Sequence, residues 1–417
     1  MAATLDPLRL RRVLVYGLGL SGLAAARLLR RRGVEVLGVD RRQPATEALG
    51  ALATDAGFTP RFGSEPGELP SGLDAVVWSP GVPADRPLLA AARQAGVPVV
   101  AEVELAFAWL DGAVVAVTGS NGKSTVTAMT GALLAGAGFA VEVCGNIGLP
   151  LSDVVVGPPG RIFVVELSSF QLEGIARFRP RAAALLNLSP DHLDRHGSLA
   201  AYLAAKQRIF ENQGAGDVAV LNADEPEVAA TPVAARRRLF SRRGPVVDGC
   251  YLEAGQVLEV EPGAGPQPLF SATDVPVPGL HNLENAMAAA LLARAAGAPA
   301  ATIAPALAGY RGLPHRLERV RERAGVVWYD DSKGTNVAAT ERSLEGFPDG
   351  SVHLVLGGRN KGADPSYLAP MVGRKARRVY LIGESAEEFA RVLTAVAPCE
   401  RCGTLDRAVS AAAAAAR

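Results

Sequence analysis

The chain has 417 residues, 49% of them hydrophobic and 20% charged, with a formal net charge of +1. That length asks for two or three domains, and the near-neutral charge without a membrane-length apolar run gives no basis for a nucleic-acid or membrane partner. The opening Met-Ala-Ala-Thr-Leu-Asp lacks a secretory pattern, and four cysteines, with a lone Cys399-x-x-Cys402, are too few for a disulfide framework or a zinc site. A reducing, cytoplasmic setting is expected.

The first elements read as strand 13–16, glycine turn 17–22, helix 23–32 and strand 34–39 ending at Asp40. Further strands are expected at 75–78, before Ser79-Pro80-Gly81, and at 97–100. A second start follows: strand 113–118, Gly119-Ser120-Asn121-Gly122-Lys123-Ser124-Thr125, then a helix to about 134. Strands 162–166 and 182–187, helix 199–211 and strand 218–222 continue it. The Pro/Gly-rich stretch 241–280 reads as a short antiparallel excursion, and helix 282–296 follows. A third start runs through strand 326–329, helix 335–344, strands 352–356 and 378–382, and a terminal helix. Strands alternating with helices predict parallel sheets covered on both faces. The expected class is α/β with three domains: Rossmann-like 1–101, a P-loop ATPase 102–312 and Rossmann-like 313–417.

The chemistry sits where strands end. Gly17-x-Gly19-x-x-Gly22 lets the backbone approach a diphosphate at a helix N-terminus, and Asp40 stands near the expected ribose, without choosing between NAD and a UDP-sugar. Thr118–Thr125 is a shortened phosphate-binding loop, with Val117 where the standard loop has its first glycine. Its amides cradle phosphates, Lys123 neutralises them and the Ser124 hydroxyl suits Mg2+. Glu166 and the Asp191-His192-Leu193-Asp194-Arg195 run follow strands, as metal ligands or bases do. Asn282 and Asn285 lie one helical turn apart, suited to bidentate contacts. Around 312–316, 330–336 and 357–361 the polar clusters read singly as helix caps, with Ser332 or Thr335 as N-cap, and together as an anion-recognising wall. Only five of the 43 basic residues are lysine: 123, 206, 333, 361 and 375. The first four fall in or beside these segments, where an amine able to lose its proton offers what arginine cannot.

In this order, Thr118–Thr125, Gly145-Asn146-Ile147-Gly148, Glu166-Leu-Ser-Ser-Phe-Gln171, Asp191–Arg195, the Lys206 helix, His281–Asn285, Gly312–Arg316 and Asp331–Asn336 resemble the Mur ligases. Within that family they look most like the branch that adds D-glutamate to UDP-N-acetylmuramoyl-L-alanine. The resemblance implies a UDP-substrate site made of Gly17, Leu18, Gly19, Leu20, Ser21, Asp40, Arg41, Ser79, Gly81, Asn146, Ser168 and Gln171. It implies ATP contacts from Gly119, Asn121, Gly122, Lys123, Ser124, Thr125, Asn282, Asn285, Arg316 and Asp331. Two Mg2+ ions would be held by Ser124 with Glu166 and by His192 with a carbamylated Lys206; Lys123, His192 and Lys206 are the implied catalytic set. Lys333, Thr335 and Lys361 would face D-glutamate. The implied reaction makes an acyl phosphate from the acceptor carboxylate and ATP, which the amine of D-glutamate then attacks. Small-molecule substrates and a monomer are expected. Family members usually continue with a further strand and a Ser-Pro-Ala-Cys-Ala-Ser-Phe-Asp-like segment, so a shortened C-terminal domain is also expected. Readings from other classes are an NAD-dependent oxidoreductase, on the glycine turn alone, and a non-catalytic P-loop nucleotide switch.

Overall fold

The apolar runs of the first hundred residues are buried on both faces, which dictates a parallel sheet with helical cover. In the computed structural model, which describes residues 6–359 and 364–416, β1 (Arg12–Tyr16), β2 (Glu35–Asp40), β3 (Phe58–Phe62), β4 (Ala75–Trp78) and β5 (Val99–Ala101) pair in the order β3-β2-β1-β4-β5. All four pairings are parallel. Strand order reverses between β1 and β4, so a crevice opens beyond their C-terminal ends, where Gly17 and Ser79 stand. The following helix begins at Leu20, earlier than the sequence suggests, and takes Gly22 into its first turn.

The glycines of that turn divide by role. A Cβ on Gly22 would stand 1.8 Å from the Gly17 carbonyl oxygen, and Gly17 itself has φ of +89°. Gly19 has nothing within 4 Å of a would-be Cβ, so packing does not require glycine there. Gly22→Ala is expected to destabilise the protein by about 2–3 kcal/mol in urea unfolding, because backbone rather than a flexible side chain must move. Gly19→Ala is expected to leave the unfolding midpoint in place.

The second sheet contains β6 (Gly112–Thr118), β7 (Val141–Gly145), β8 (Arg161–Glu166), β9 (Ala182–Leu185), β10 (Val218–Asn222), β11 (Arg236–Ser241), β12 (Gly249–Glu253), β13 (Gln256–Val260) and β14 (Gln267–Ser271), ordered β14-β13-β12-β11-β10-β9-β6-β8-β7. β7 to β12 and β6 pair in parallel; β13 and β14 add on antiparallel. The excursion predicted at 241–280 is thus an extension of the sheet itself. A central cluster including Phe163, Phe178, Leu185 and Ile209 packs against this sheet.

Two acids of the short helix Glu102–Phe107 join the first sheet to the second. Glu104 accepts from the backbone N–H groups of Ala176, Arg177 and Phe178 at 2.9, 2.8 and 2.9 Å. Glu102 accepts from Ser152 N at 2.6 Å, while its Oε2 is buried without a partner among the described residues. Burial pushes the Glu102 carboxyl up to about 7 from 4.5. The folded state therefore holds its proton where the unfolded chain has released it, and stability falls as pH rises from 4.5 to about 7, then levels. Glu102→Gln, which has no proton to lose, should gain on the wild type across that window by on the order of 3 kcal/mol, read from urea midpoints at several pH values.

The chain divides into two compact units, the first running to Ser271 and including Met287–Ala306, the second comprising Ala272–Ala286 and Leu307 onward. The second holds a hairpin of β15 (Glu318–Arg323) and β16 (Val326–Asp330), and a parallel sheet of β17 (Val352–Gly357), β18 (Ala376–Ile382) and β19 (Cys399–Gly403) in that order. Strand 326–329 is therefore in a hairpin rather than the expected parallel sheet; its partner Glu-Arg-Val-Arg-Glu-Arg is too exposed to show a buried pattern. Helix Val337–Glu345 is capped by Asn336, whose side chain accepts from Ala339 N at 2.7 Å, and not by Ser332 or Thr335. Cys402 packs with Tyr380, Ala408 and Ala412, while Cys399 lies against the opposite cluster, as positions three apart on a strand require. Both thiols are free. Lys375, the lysine outside the predicted segments, is buried and bonds Phe347 O and Asp349 Oδ1, both at 2.7 Å.

Candidate active site

The C-terminal ends of β6, β8 and β9 converge at the second sheet's reversal of strand order, and the predicted phosphate loop lies there. Gly122 has φ of +81° and turns the chain into the helix Lys123–Gly136, so the amides of Lys123, Ser124 and Thr125 form its first turn. The loop is braced from the β9 side: Asn121 N donates to Asn187 Oδ1 at 2.8 Å, and Ser120 Oγ donates to Ser189 O at 3.1 Å.

Two lysines meet at one backbone oxygen of this loop. Lys123 Nζ donates to Gly119 O at 2.9 Å and Lys206 Nζ to the same oxygen at 2.8 Å. Lys206 is 1% exposed and lies 4.3 Å over the Tyr202 ring. Burial, then the neighbouring Lys123 charge, lowers its amine to about 7, so a large fraction is neutral near neutral pH. Glu166 ends β8 and is 2% exposed. Its Oε1 accepts from Asn146 Nδ2 at 2.7 Å; its Oε2 is buried and accepts no hydrogen bond among the described residues. A buried, half-satisfied carboxylate beside a phosphate loop is the donor a hard divalent cation takes, so Glu166 fits Mg2+ here.

A cleft of about 460 Å³ is lined by Pro80, Gly81, Lys123, Asn146, Ser168, Phe170, His192, Asp194 and Arg195. It joins the first sheet's reversal point to the phosphate loop. His192 has φ of +52°, and its exposed ring lies 4.9 Å from Phe170 and 6.4 Å from Tyr202. Ser168 and Gln171 form a capping box at the helix Ser169–Leu172, Gln171 Oε1 accepting from Ser168 N at 2.9 Å. Those polar atoms thus set the helix start beside the cleft. In the first unit's other predicted set, Asp40 accepts from Leu18 N at 2.6 Å and Arg42 N at 2.8 Å, and Ser79 Oγ donates to Gly17 O at 2.6 Å. Arg41 and Leu20 are exposed at the rim of the glycine turn.

The second unit gathers another predicted set. Asp331 accepts from Leu317 N at 3.1 Å and Ser343 Oγ at 2.6 Å, Lys333 N donates to His315 O at 3.1 Å, and His315 Nδ1 lies 2.7 Å from Asp330 Oδ2. These bonds hold exposed Arg316, Lys333 and Thr335 on one pair of loops. Asn285 Nδ2 donates to Asn282 Oδ1 at 3.1 Å, and Asn282 Nδ2 to Pro278 O at 2.7 Å. Lys361 lies outside the described residues. The sequence motifs assign no role to Phe170, Glu173, His196 or Tyr202, although His196 stands close to the predicted His192, and they place Arg195 only within the run expected to hold metal ligands or bases.

Comparison with known proteins identifies the family. Family models match the chain at residues 11–101 (Mur ligase MurD-like, N-terminal domain), 117–293 (Mur ligase middle domain) and 315–417 (Mur ligase, glutamate ligase domain). The UDP-N-acetylmuramoylalanine–D-glutamate ligases of Acidobacterium capsulatum and Myxococcus xanthus are 42% and 46% identical to it, each over 96% of this chain and over 88% and 90% of their own. Among solved structures, a pseudomurein peptide ligase type C from Methanothermus fervidus aligns at TM-score 0.57 with 18% identity, over 97% of this chain and 94% of that one. MurF ligase from Thermotoga maritima, in complex with ADP, aligns at 0.56 with 19% identity, over 95% and 87%. These two share the fold, a three-domain α/β architecture. Among the described residues no helix is long and apolar enough to cross a membrane. The chain belongs to the Mur ligase family, whose members are ATP-dependent, Mg2+-using enzymes that form amide bonds.

Proposed function

We propose that this enzyme joins D-glutamate to the carboxylate of UDP-N-acetylmuramoyl-L-alanine with conversion of ATP to ADP and phosphate, a step of peptidoglycan precursor synthesis. The convergence of Lys123 and Lys206 on Gly119 O, beside the half-satisfied Glu166, carries the reading. The two relatives with that printed activity support the choice of substrates. On this reading residues 1–101 bind the UDP end, 102–312 bind ATP and 313–417 receive the amino acid. One chain supplies every residue named, so a monomer suffices, and the supply of ATP sets the reaction in the cytoplasm.

Lys123 neutralises the β- and γ-phosphates, and the first-turn amides of its helix orient them. Ser124 and Glu166 would hold one Mg2+, and His192 with a carbamylated Lys206 a second. Bound Mg2+ supplies charge neutralisation at the phosphate oxygens. The neutral amine of Lys206 captures CO2 with loss of a proton, which gives an anionic, carboxylate-like carbamate as ligand. The cleft aligns the acceptor carboxylate with the γ-phosphate, and the acyl phosphate formed is then attacked by the amine of D-glutamate. Arg316 and Asp331, with Asn282 and Asn285, serve the nucleotide, and Lys333, Thr335 and Lys361 the amino acid.

Product mass spectrometry with D-glutamate, L-glutamate and L-lysine offered in turn tests the substrate choice. Extension by D-glutamate alone is expected; extension by either L-amino acid in preference would overturn it.

A further inference from the structure

Arg195 lines the cleft, reaches both of its walls and has no part in the proposed mechanism. Its Nη1 donates to Pro80 O at 2.8 Å and its Nη2 to Glu173 Oε2 at 2.8 Å. Its guanidinium lies 4.2 Å over the Phe170 ring and 5.7 Å from the Trp78 ring. Pro80 and Trp78 belong to the first sheet's crevice, Phe170 and Glu173 to the wall beside the phosphate loop. The connection continues at both ends. Beyond Pro80, Ser79 Oγ holds Gly17 O at 2.6 Å. Beyond Glu173, His196 Nδ1 lies 3.6 Å from Glu173 Oε1, and its Nε2 is 3.0 Å from Ser169 Oγ. The His196 side chain is 4% exposed and stacked on Phe170. One line of contacts therefore runs from the glycine turn to the helix that opens with Ser168.

We propose that Arg195, backed by Glu173, is a positioning residue that sets the spacing between the subsite for the acceptor's diphosphate end and the subsite for its carboxylate end. The inference rests on the proposed function, because it needs one substrate that reaches both walls. The physical reason is the planar fork of arginine: two donors at fixed separation, with both faces available to rings, specify distance and angle together. Lysine in its place keeps the charge and loses the fork. Such a clamp adds affinity by preorganisation, which appears in binding of the long acceptor and not in the handling of ATP.

The test compares wild type, Arg195→Lys and Glu173→Gln in steady-state phosphate release. With UDP-N-acetylmuramoyl-L-alanine, KM is expected to rise on the order of tenfold or more in both variants, with kcat and the KM for ATP within about threefold of wild type. With N-acetylmuramoyl-L-alanine lacking the uridine diphosphate, the penalty should shrink to about twofold or less, since a substrate touching one wall gains nothing from their spacing. Glu173→Gln leaves the Arg195 contacts to Pro80 and Phe170 available, which keeps a folded variant in the series. Independently of turnover, amide exchange at Val82, whose N–H donates to Ser79 O at 3.0 Å, should quicken about tenfold in both variants. Equal penalties on long and short acceptors, a loss confined to kcat or to ATP, or unchanged exchange at Val82 would overturn the clamp. Failure of wild type to use the long acceptor would overturn the proposed function and the clamp with it, whereas a wild type that uses it, with Val82 exchange unchanged in the variants, would overturn the clamp alone.

Discussion

Lys206→Arg is expected to lower the ligation rate on the order of a thousandfold or more while leaving the protein folded and able to bind ATP. Lys206 is 1% exposed, its Nζ is 2.8 Å from Gly119 O, and burial brings its amine to about 7. Arginine keeps a cation in that space and cannot give up its proton, so it cannot capture CO2. The same cause predicts a dependence that no packing role would give. In buffer stripped of CO2 the wild-type rate should fall and return with added bicarbonate, whereas the variant should respond to neither. At fixed CO2 the wild-type rate should decline as pH drops through about 7, because protonation removes the form that reacts. Steady-state phosphate release reads all three. A Lys206→Arg variant with near-normal turnover would remove Lys206 from the catalytic set.

Glu166→Gln is expected to cost about two to three orders of magnitude in kcat and to move the Mg2+ dependence to higher concentration. The amide oxygen can still accept from Asn146 Nδ2, which now reaches Oε1 at 2.7 Å, so the local bonding survives. The charge does not survive, and Oε2 is the buried oxygen left without a partner among the described residues. Removing an uncompensated buried charge should also hold or raise the unfolding temperature of the Mg2+-free protein. Those two opposite movements separate a metal ligand from a structural acid. A Mg2+ titration that superimposes on wild type would show that Glu166 holds no ion.

The parallel sheets and the phosphate loop were legible because their signals are local. Val13–Tyr16, Ala75–Trp78 and Arg161–Glu166 are apolar runs ending in glycine or a polar site residue, and strand ends are where such sites lie. The strands 58–62 and 318–323 were not legible, since their residues are largely exposed and carry no alternation to read. The antiparallel excursion at 241–280 was legible as such, but the bounds of β12 to β14 were not, because turn residues dominate the stretch and pairing with a neighbouring strand rather than propensity makes them. Capping was misread at Ser332 and Thr335 for a related reason: several residues there can cap, and only the backbone path selects Asn336. Within the candidate site, residue type singled out Lys123, Lys206, Glu166 and His192. It did not reveal that Arg195 and Glu173 link two walls, because Pro80 and Arg195 are neighbours only after folding. The scarcity of lysine pointed toward function at position 206, yet Lys375 shows that a buried lysine can also serve structure.

Ligation by this enzyme is decided by phosphate release from ATP by the purified protein with Mg2+ and UDP-N-acetylmuramoyl-L-alanine, with and without D-glutamate. Sustained release is expected only when both substrates are present, with one product molecule formed per phosphate. Release that ignores D-glutamate, or none at all with both substrates bound, would contradict it.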